Sequence, residues 1–492
     1  MRSLELSARS ALIFFSSSAL AFLGGLAIPF YGPVAAIAFT AVVLAIVCLH
    51  ISTPILANLL LLISVLVVGQ ALTWLKIGAA AWIPYLLLCL IGVRLLIRQI
   101  ETPRGAPAHG DLAVLVLSIL VLYFCAFLAS ALFNASPPIS WLVSAKNYIF
   151  PWLLTFAVLK CASPREYEMT WKGVLVLAAL QAPFALAQHY MFVAGRSSAA
   201  NWDAVVGTFG TTEGGGASGT MALFLSFAVF LASAMFARKS LGRPSFFILI
   251  TSAAITIAVA EVKIALLIVP LGLLIIFRRE LFSRPIASVG FVVIIVVVLG
   301  TVVALYASRA GDRVGRDLGL GGFVTYAASA EQDPTFYNPR TGEVSRLGGV
   351  LLWWRHSQPT EHSFYFGHGP TSARVSSASG VGELARRHEF RLNTSTATSM
   401  LWEFGVLTFF LALLLLLFSG LLAIRLCTAS SGIQSAVLQA GGVFLLLCVP
   451  LAFYNRSLID APSIQILVSL LIGYTLLCSR RANDVTADTD AA

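Results

Sequence analysis

Long apolar runs, broken by short polar connections, make up most of the chain. About 20 apolar residues cross a hydrocarbon core of about 30 Å, and by that measure the pattern predicts single spans at 10–30, 33–50, 54–75, 79–97, 111–133, 143–160, 170–192, 216–236, 286–307, 396–424, 432–453 and 462–479. Residues 244–277 form another apolar run, which Glu261 and Lys263 interrupt. The pattern is typical of an all-α polytopic membrane protein.

The charges that flank residues 244–277 indicate how this run crosses the membrane. Lys and Arg collect in cytoplasmic connections, and basic residues lie on both sides of the run: Arg238, Lys239 and Arg243 before it, and Arg278, Arg279 and Arg284 after it. Because both ends then lie on one side, the run needs two spans, and the prediction becomes about 14 spans with both termini cytoplasmic. Each half holds about 16 residues and reaches about 24 Å, so the tip with Glu261 and Lys263 should lie below the outer surface.

The longest polar segment, residues 308–395, falls on the outer side in this topology. Its mixture of Gly, polar and aromatic residues predicts short amphipathic helices at the membrane interface. The segment separates an N-terminal bundle, residues 1–307, from C-terminal spans, residues 396–479, and a cytoplasmic tail follows at 480–492. We therefore expect one large outer loop on a bundle of helices.

Composition excludes a soluble globular protein and makes the lipid bilayer the first partner. Hydrophobic residues make up 58% of the chain and charged residues 11%, and the mean hydropathy is +0.89. The net charge of +10 is explained by cytoplasmic Lys and Arg that set the topology. No nucleic-acid partner is expected.

Ionisable side chains at membrane depth need an ion pair, a water-filled cavity or a ligand. The candidates in this chain are Lys146, Glu261 and Lys263. Either Glu261 and Lys263 neutralise nearby charges and shape the hairpin, or Lys263 supplies a fixed positive charge to an anionic ligand that Glu261 helps to orient. Lys146 is expected to extend outward and place its ammonium group in the interface.

The polar segment is rich in side chains that suit phosphate chemistry. Guanidinium groups bind phosphate with two parallel hydrogen bonds, and His exchanges a proton near neutral pH. The segment contains Arg340, Arg346, Arg355, His356, His362, His368, Arg386, Arg387, His388 and Arg391. Acidic residues are interspersed among them, so a solvated loop without a site explains the same composition. The chain has no zinc-like spacing of His and Cys, no Walker loop and no nucleophile elbow.

Three motifs stand out along the chain. GTFGTTEGGGASG, at 207–219, is a glycine-rich loop before a span, where backbone amides could face an anion. FGHGPTS, at 366–372, is a second glycine-rich turn. The third motif runs from Asn393 through Glu403 to Gly405, where a polar loop enters an apolar helix.

Taken in order, these motifs resemble the O-antigen ligase and polymerase superfamily, which contains the Wzy-type polymerases and lipid A-core ligases of bacterial envelopes. The resemblance covers roughly residues 200–425 and includes the hairpin tip AEVKIA and the sequence WEFG that ends at Gly405. It departs from the family where Lys263 replaces the usual Arg, which keeps a charge but loses the bidentate fork. The customary His and Asn positions fall at Thr394 and Ser395, whereas His388 and Asn393 lie upstream.

The resemblance implies a GT-C-like membrane glycosyltransferase, in which about 14 helices carry one large periplasmic loop. Its reaction would transfer sugar from a polyprenyl-pyrophosphate-linked glycan donor to an acceptor hydroxyl at the periplasmic face of the bacterial inner membrane. No nucleotide sugar, metal or other cofactor is implied. A chain-length regulator and a flippase of the same pathway would be further partners.

The roles that the resemblance implies fall on a small set of residues. His388 or Glu261 would serve as the catalytic base. Pyrophosphate and substrate would contact Lys263, Arg391, Arg456, Asn393, Gly207 and Gly210. Supporting roles would fall to Glu403, Asp460, Gly367 and Gly369, and Asp460 would pair with Arg456 in the last outer loop.

Three functions remain open from the sequence. The favoured one is a polymerase that joins oligosaccharide repeat units into exopolysaccharide or O-antigen. The sister activity is a ligase that moves finished polymer onto lipid A-core or another acceptor, and the weak His-Asn match argues mildly against it. A transporter or flippase for lipid-linked glycan belongs to a different class. It predicts repeated halves and short outer loops, whereas residues 308–395 form a long loop and the chain has no visible repeat.

Overall fold

The computed structural model of the protein describes residues 51–101, 110–193, 205–210, 217–283 and 342–490, with short gaps at 74, 76, 162, 261, 359, 377–378 and 389, and also the strand 337–338 and isolated positions between 289 and 300. The predicted spans 10–30 and 33–50, most of 286–307, residue Glu261 and most of 308–341 lie outside the described residues. In the described part, a helical bundle carries residues 342–395 at one end, which we call the loop end.

The described residues form seventeen helices. In chain order they are α1 (Thr53–Thr73), α2 (Gly78–Ile97), α3 (Asp111–Phe133), α4 (Pro138–Tyr148), α5 (Pro151–Leu159), α6 (Pro164–Met191), α7 (Ala217–Ala237), α8 (Arg243–Ala260), α9 (Lys263–Ile276), α10 (Arg278–Ser283), α11 (Arg346–His356), α12 (His362–Phe366), α13 (Glu383–Arg387), α14 (Thr396–Cys427), α15 (Gly432–Tyr454), α16 (Ser457–Asp460) and α17 (Pro462–Asn483). Among the described residues, nine helices are long and apolar enough to cross a membrane: α1, α2, α3, α6, α7, α8, α14, α15 and α17. They confirm the all-α polytopic class, while the total of about 14 spans stays a prediction.

The predicted span 143–160 is bent in the structure. The structure breaks it into α4 and α5, which meet at an angle of 50°. Pro151 begins α5, and because proline lacks an N–H and its ring clashes with the preceding turn, the helix cannot continue through this position unbent. The bend leaves Tyr148, the last residue of α4, fully buried in the bundle.

The run 244–277 forms two helices, α8 and α9, as the flanking charges predicted. With 14 residues, α9 is about 21 Å long and is shorter than a hydrocarbon core of about 30 Å. Gly272 of α9 lies directly against the Phe230 ring of α7. The hairpin therefore packs closely on the bundle.

The centre of the bundle is formed by α7 and α17, whose apolar windows are 89% and 94% buried, whereas α8 is 28% buried at the periphery. Polar side chains of a spanning helix need partners away from lipid. In α17, Gln465 accepts a hydrogen bond of 2.7 Å from Tyr85, and Thr155 donates to the Ser469 carbonyl at 2.9 Å. These polar positions explain why α17 lies inside.

Between α14 and α15, small residues allow the two backbones to approach. A Cβ atom on Gly442 would lie 3.0 Å from the Gly420 carbonyl oxygen. Small residues at such contacts are typical of helix packing in membranes. The long helix α14 is therefore held along α15.

At the loop end, residues 342–395 fold into the short helices α11, α12 and α13. Two antiparallel pairs of two-residue strands accompany them: β1 (Tyr337–Asn338) with β2 (Glu343–Val344), and β3 (Val375–Ser376) with β4 (Gly380–Val381). Helix α12 packs on α3 and α14, and the Phe366 ring lies 4.8 Å from Phe133, the last residue of α3. The described part of the polar segment therefore lies on the ends of the spans.

Candidate functional site

The two glycine motifs of the loop end bind one another through their backbones. Gly405 interrupts α14 with φ 75°, which is a left-handed conformation that glycine adopts without strain. This break removes helical partners from the preceding carbonyl groups. The amide of His368 donates to the Trp402 carbonyl, and the amide of Gly369 donates to the Glu403 carbonyl, each at 2.9 Å. The FGHG turn therefore satisfies the carbonyl groups that the break in WEFG exposes.

Side chains would disrupt this contact. A Cβ on Gly367 would lie 2.4 Å from the Glu403 carbonyl carbon, and a Cβ on Gly405 would lie 2.4 Å from the Tyr365 carbonyl carbon. Ser130 of α3 also donates to the Glu403 carbonyl at 3.2 Å. Two other segments, α3 and the FGHG turn, thus position Glu403.

The Glu403 side chain forms the centre of a buried ion-pair cluster. It is fully buried, and its Oε1 accepts a hydrogen bond from Nε of Arg374 at 2.7 Å. Nη2 of Arg374 donates to the Tyr148 hydroxyl at 2.7 Å, and that hydroxyl lies 3.5 Å from Oε2 of Glu403. A charged hydrogen bond of this kind is among the stronger ones in proteins.

A second carboxylate extends the cluster toward the surface. Asp460 Oδ1 lies 3.4 Å from Nη1 of Arg374, and Asp460 Oδ2 lies 2.7 Å from Nε of Arg456. Nη1 of Arg456 donates to the Asn393 carbonyl at 3.1 Å. The side chain of Arg456 is 43% exposed, against 9% for Arg374, so Arg456 is the more accessible guanidinium of the two.

Burial disfavours the charged form of Arg374, but the Glu403 and Asp460 carboxylates and the Tyr148 hydroxyl outweigh it and hold the pKa of Arg374 well above its ordinary value. The guanidinium is therefore a permanent cation. It fixes both carboxylates in place.

Lys146 lies beside this cluster. Its Nζ is 4.5 Å from the ring centroid of Trp82 and 5.2 Å from that of Tyr85, which is within the range of cation–π attraction. It also interacts electrostatically with Asp460 and Arg374. The expectation that Lys146 extends outward stays a prediction; in the structure its ammonium group lies over the rings of Trp82 and Tyr85.

With Lys146, the cluster contains three basic and two acidic side chains. These are Lys146, Arg374 and Arg456 against Glu403 and Asp460. The excess of one positive charge, next to a half-exposed guanidinium, suits an anion with several oxygen atoms.

Three histidines gather around Trp402, the residue before Glu403. The ring centroids of His356, His368 and His388 lie 6.2, 6.0 and 5.8 Å from Trp402. His388 also lies 5.5 Å from His356 and 5.0 Å from Phe390.

Two of these histidines are biased toward the neutral form. Burial lowers the pKa of His368. Burial, together with the nearby His356 and Arg387, lowers the pKa of His388. Neutral imidazole can accept a proton near pH 7, which is the property that a base at His388 needs.

The GTFG loop is inserted between spans. Thr208 is fully buried and donates to the Val65 carbonyl of α1 at 2.7 Å. The amide of Gly207 donates to Oε1 of Gln188 at 2.7 Å, and a Cβ on Gly210 would lie 2.4 Å from the Gly69 carbonyl oxygen. In this structure the loop holds α1 and α6 together, and anion binding by Gly207 and Gly210 stays a prediction.

Lys263 begins α9, which packs on α15. Gln439 near the start of α15 donates to the Ile276 carbonyl at the other end of α9. A position of Lys263 beside Arg456 stays a prediction. Arg391 is exposed, and its amide donates to the Gly342 carbonyl at 2.7 Å.

The structure thus brings Glu403, Asp460, Arg456 and Asn393 into one site, while His388 lies against Trp402. Sequence reasoning missed Arg374 and Tyr148. Arg374 comes two residues after the FGHGPTS motif, and this proximity was the available signal. Tyr148 has no signal in the sequence, because this residue lies inside an apolar run.

Among the described residues, no group of three or more His, Cys, Asp or Glu side chains is arranged to hold a metal ion. Comparison of the chain with protein-family models and with curated proteins gives no match.

Proposed function

We propose that the protein polymerises polyprenyl-pyrophosphate-linked oligosaccharide repeat units into exopolysaccharide or O-antigen, at the periplasmic face of the bacterial inner membrane. The observation that carries the proposal is the cluster at the loop end, in which Arg374, Glu403 and Asp460 support the half-exposed Arg456. A pyrophosphate leaving group needs fixed cations that face the point where charge develops. The cluster supplies them at the end of a membrane bundle, where a lipid-linked donor presents its head group.

In the proposed reaction, the acceptor hydroxyl attacks the anomeric carbon of the donor sugar. The bond from that carbon to the pyrophosphate oxygen breaks, the polyprenyl pyrophosphate leaves with its electron pair, and the hydroxyl proton passes to a base. Arg456 and Lys263 are the cations assigned to the leaving group. His388 is the assigned base because its ring lies 5.8 Å from Trp402, the residue before Glu403, and because burial lowers the pKa of His388.

Arg374 and Glu403 act as positioning residues in this proposal. Arg374 is bonded to Glu403, Tyr148 and Asp460, so its hydrogen bonds are used within the protein. It orients Asp460, and Asp460 in turn orients Arg456. A ligase would use the same transfer step with a different acceptor, and the product therefore decides between the two activities.

The experiment that tests the proposal is gel analysis of surface and lipid-linked glycans after deletion of the gene. Single repeat units that remain on the lipid carrier would support a polymerase. Full-length polymer stranded on the carrier would favour the ligase, and repeat units held on the cytoplasmic leaflet would favour a flippase.

Complementation assigns the residues. Lys263→Ala and Arg456→Ala should both abolish polymer while the protein stays in the membrane. Arg386→Ala is the matched control, because Arg386 lies in the same segment and is exposed; it should leave polymer normal. Normal polymer with both Lys263→Ala and Arg456→Ala would refute the cation site.

A further inference from the structure

A small pocket lies where α1 begins and where α2 and α5 end. Its volume is about 290 Å³, which is close to the lower limit for ligand pockets in proteins. Two basic side chains line the pocket, Arg94 of α2 and Lys160, the residue that follows α5. Thr53, the first residue of α1, lines it too and is 7% exposed. The pocket therefore combines two positive charges with a hydroxyl group.

This pocket lies at the end of the bundle opposite to the loop end. Close to the ion-pair cluster, Gln465 of α17 donates to the Asn147 carbonyl at 2.8 Å. Arg480 lies about 22 Å further along the same helix, and its Nη1 donates to the Leu159 carbonyl at 3.3 Å. Leu159 directly precedes Lys160. In a bilayer, the cluster and the pocket would therefore lie at opposite surfaces, and the basic residues at the pocket predict the cytoplasmic side.

Arg94 is the buried cation of this pocket. It is 6% exposed, and its Nη1 donates to the Ile51 carbonyl. A carbonyl oxygen orients the guanidinium group without neutralising its charge. Glu166 lies close enough to act, as Arg94 does, on the Tyr167 hydroxyl, but Glu166 is exposed and accepts a hydrogen bond of 3.0 Å from the Ser163 amide. The guanidinium of Arg94 is therefore a fixed positive charge at the pocket wall.

An exposed apolar surface adjoins the pocket. On α2, around Arg94, the side chains of Val93, Leu96 and Ile97 are 47%, 67% and 43% exposed. The apolar walls of the pocket itself are Leu56, Ile91, Leu95 and Ala157. In a bilayer, apolar side chains in the last turns of a span contact acyl chains, whereas Lys and Arg at the same level reach the phosphate groups. The surroundings of the pocket therefore suit a ligand that carries both groups.

We propose that this pocket binds the phosphate group of an anionic phospholipid of the bilayer. The phosphate lies between Arg94 and Lys160, and the acyl chains lie against the exposed apolar side chains of α2. Basic pockets between the ends of spans are suited to anionic head groups, because a guanidinium and an ammonium group both bind phosphate oxygens. The site is independent of the proposed function. The bound lipid holds the ends of α1, α2 and α5 together.

The test is native mass spectrometry of the purified full-length protein, which counts bound lipids and gives the affinity of each. The probes are dioleoyl phosphatidylglycerol, dioleoyl phosphatidylcholine and inorganic phosphate. Wild type should bind one phosphatidylglycerol about tenfold more tightly than phosphatidylcholine, because two basic side chains favour a head group with a net negative charge. Inorganic phosphate should not displace this lipid, since it lacks the acyl chains that contact α2.

Two variants test the cations of the pocket. Lys160→Gln should weaken phosphatidylglycerol binding about fivefold, and because Lys160 is exposed, the change leaves no buried group without a partner. Lys172→Gln is the matched control, since Lys172 is an exposed lysine of α6 outside the described lining of the pocket; it should leave the affinity unchanged. Arg94→Gln should weaken binding further. If Arg94→Gln fails to fold, Lys160→Gln decides the question alone.

Three results would overturn the proposal. Equal affinity of wild type for the two lipids would exclude selection by charge. An unchanged affinity in Lys160→Gln, or an equal loss in Lys172→Gln, would exclude this pocket as the place of binding. Displacement of phosphatidylglycerol by inorganic phosphate would assign the pocket to a soluble phosphate compound instead of a lipid.

Discussion

Replacement of Arg374 by Met isolates the energetic role of the buried cluster. The change removes the hydrogen bonds to Glu403 and Tyr148, both at 2.7 Å, and the contact with Asp460 at 3.4 Å. Asp460 keeps Arg456 as a partner. Glu403, which is fully buried, keeps the Tyr148 hydroxyl at 3.5 Å.

Loss of one partner from a buried ion pair costs about 3–5 kcal/mol, because the remaining charge stays buried. We therefore expect Arg374→Met to lower the free energy of unfolding by this amount. The double variant Arg374→Met, Glu403→Leu removes both charges of the buried ion pair. Replacement of a whole buried pair by apolar residues is often neutral for stability. The double variant should return to within about 2 kcal/mol of wild type, the remainder reflecting the unsatisfied Tyr148 hydroxyl.

The assay is equilibrium unfolding in mixed micelles, followed by tryptophan fluorescence, together with glycan analysis of the same variants. Polymer should be absent in both variants. The double variant recovers its stability, but without Arg374 it does not recover the orientation of Asp460. The reasoning is refuted if Arg374→Met unfolds within about 1 kcal/mol of wild type, or if the double variant is less stable than the single one.

Three further predictions concern the elements that hold the site. Gly405→Ala should abolish the folded protein, because a Cβ at that position would meet backbone atoms at 2.4 Å. Gly432 has φ 57° and open space around it, so Gly432→Ala should lower the free energy of unfolding by only about 1–2 kcal/mol. Size-exclusion chromatography of the two variants compares them. Gln188→Leu should lower the free energy of unfolding by about 3 kcal/mol or more, because it leaves buried backbone groups of the GTFG loop without their hydrogen bonds, and an unfolding midpoint equal to that of wild type would contradict this. Because burial lowers the pKa of His368 in the folded state, the unfolded chain binds more protons below about pH 6.5 and stability should fall as pH drops through that window. Unfolding of His368→Gln across pH 5–8 should show a smaller slope, and the same slope as wild type would exclude this histidine as the cause.

The span pattern was accessible from sequence because lipid imposes a simple requirement. A helix that crosses the bilayer satisfies its own backbone and needs a long apolar stretch, and each half of a hairpin keeps its flanking basic residues on one side. For that reason α14, α15 and the division of 244–277 into α8 and α9 were predicted correctly. The same rule does not give the shape of 143–160, because composition alone does not state that the chain bends by 50° before Pro151.

The site was only partly accessible from sequence. Glu403 drew notice as part of the third motif and Asp460 as a partner for Arg456, but their partner Arg374 was one basic residue among many in a polar segment. Arg374 and Glu403 lie 29 positions apart, and Arg374 and Tyr148 lie 226 apart. Local pattern carries no information about such pairs.

The sequence by itself determined that this protein is a helical membrane protein, where its described long helices lie, and which motifs contain glycines that a close approach requires. Tertiary structure decided that FGHG supplies amides to the carbonyl groups exposed by WEFG, that Lys146 lies over the rings of Trp82 and Tyr85, and that Tyr148, which binds Arg374, lines an apolar cleft. The physical reason is that insertion of each helix depends on its own composition, whereas a buried charge or cleft depends on which distant segments pack together.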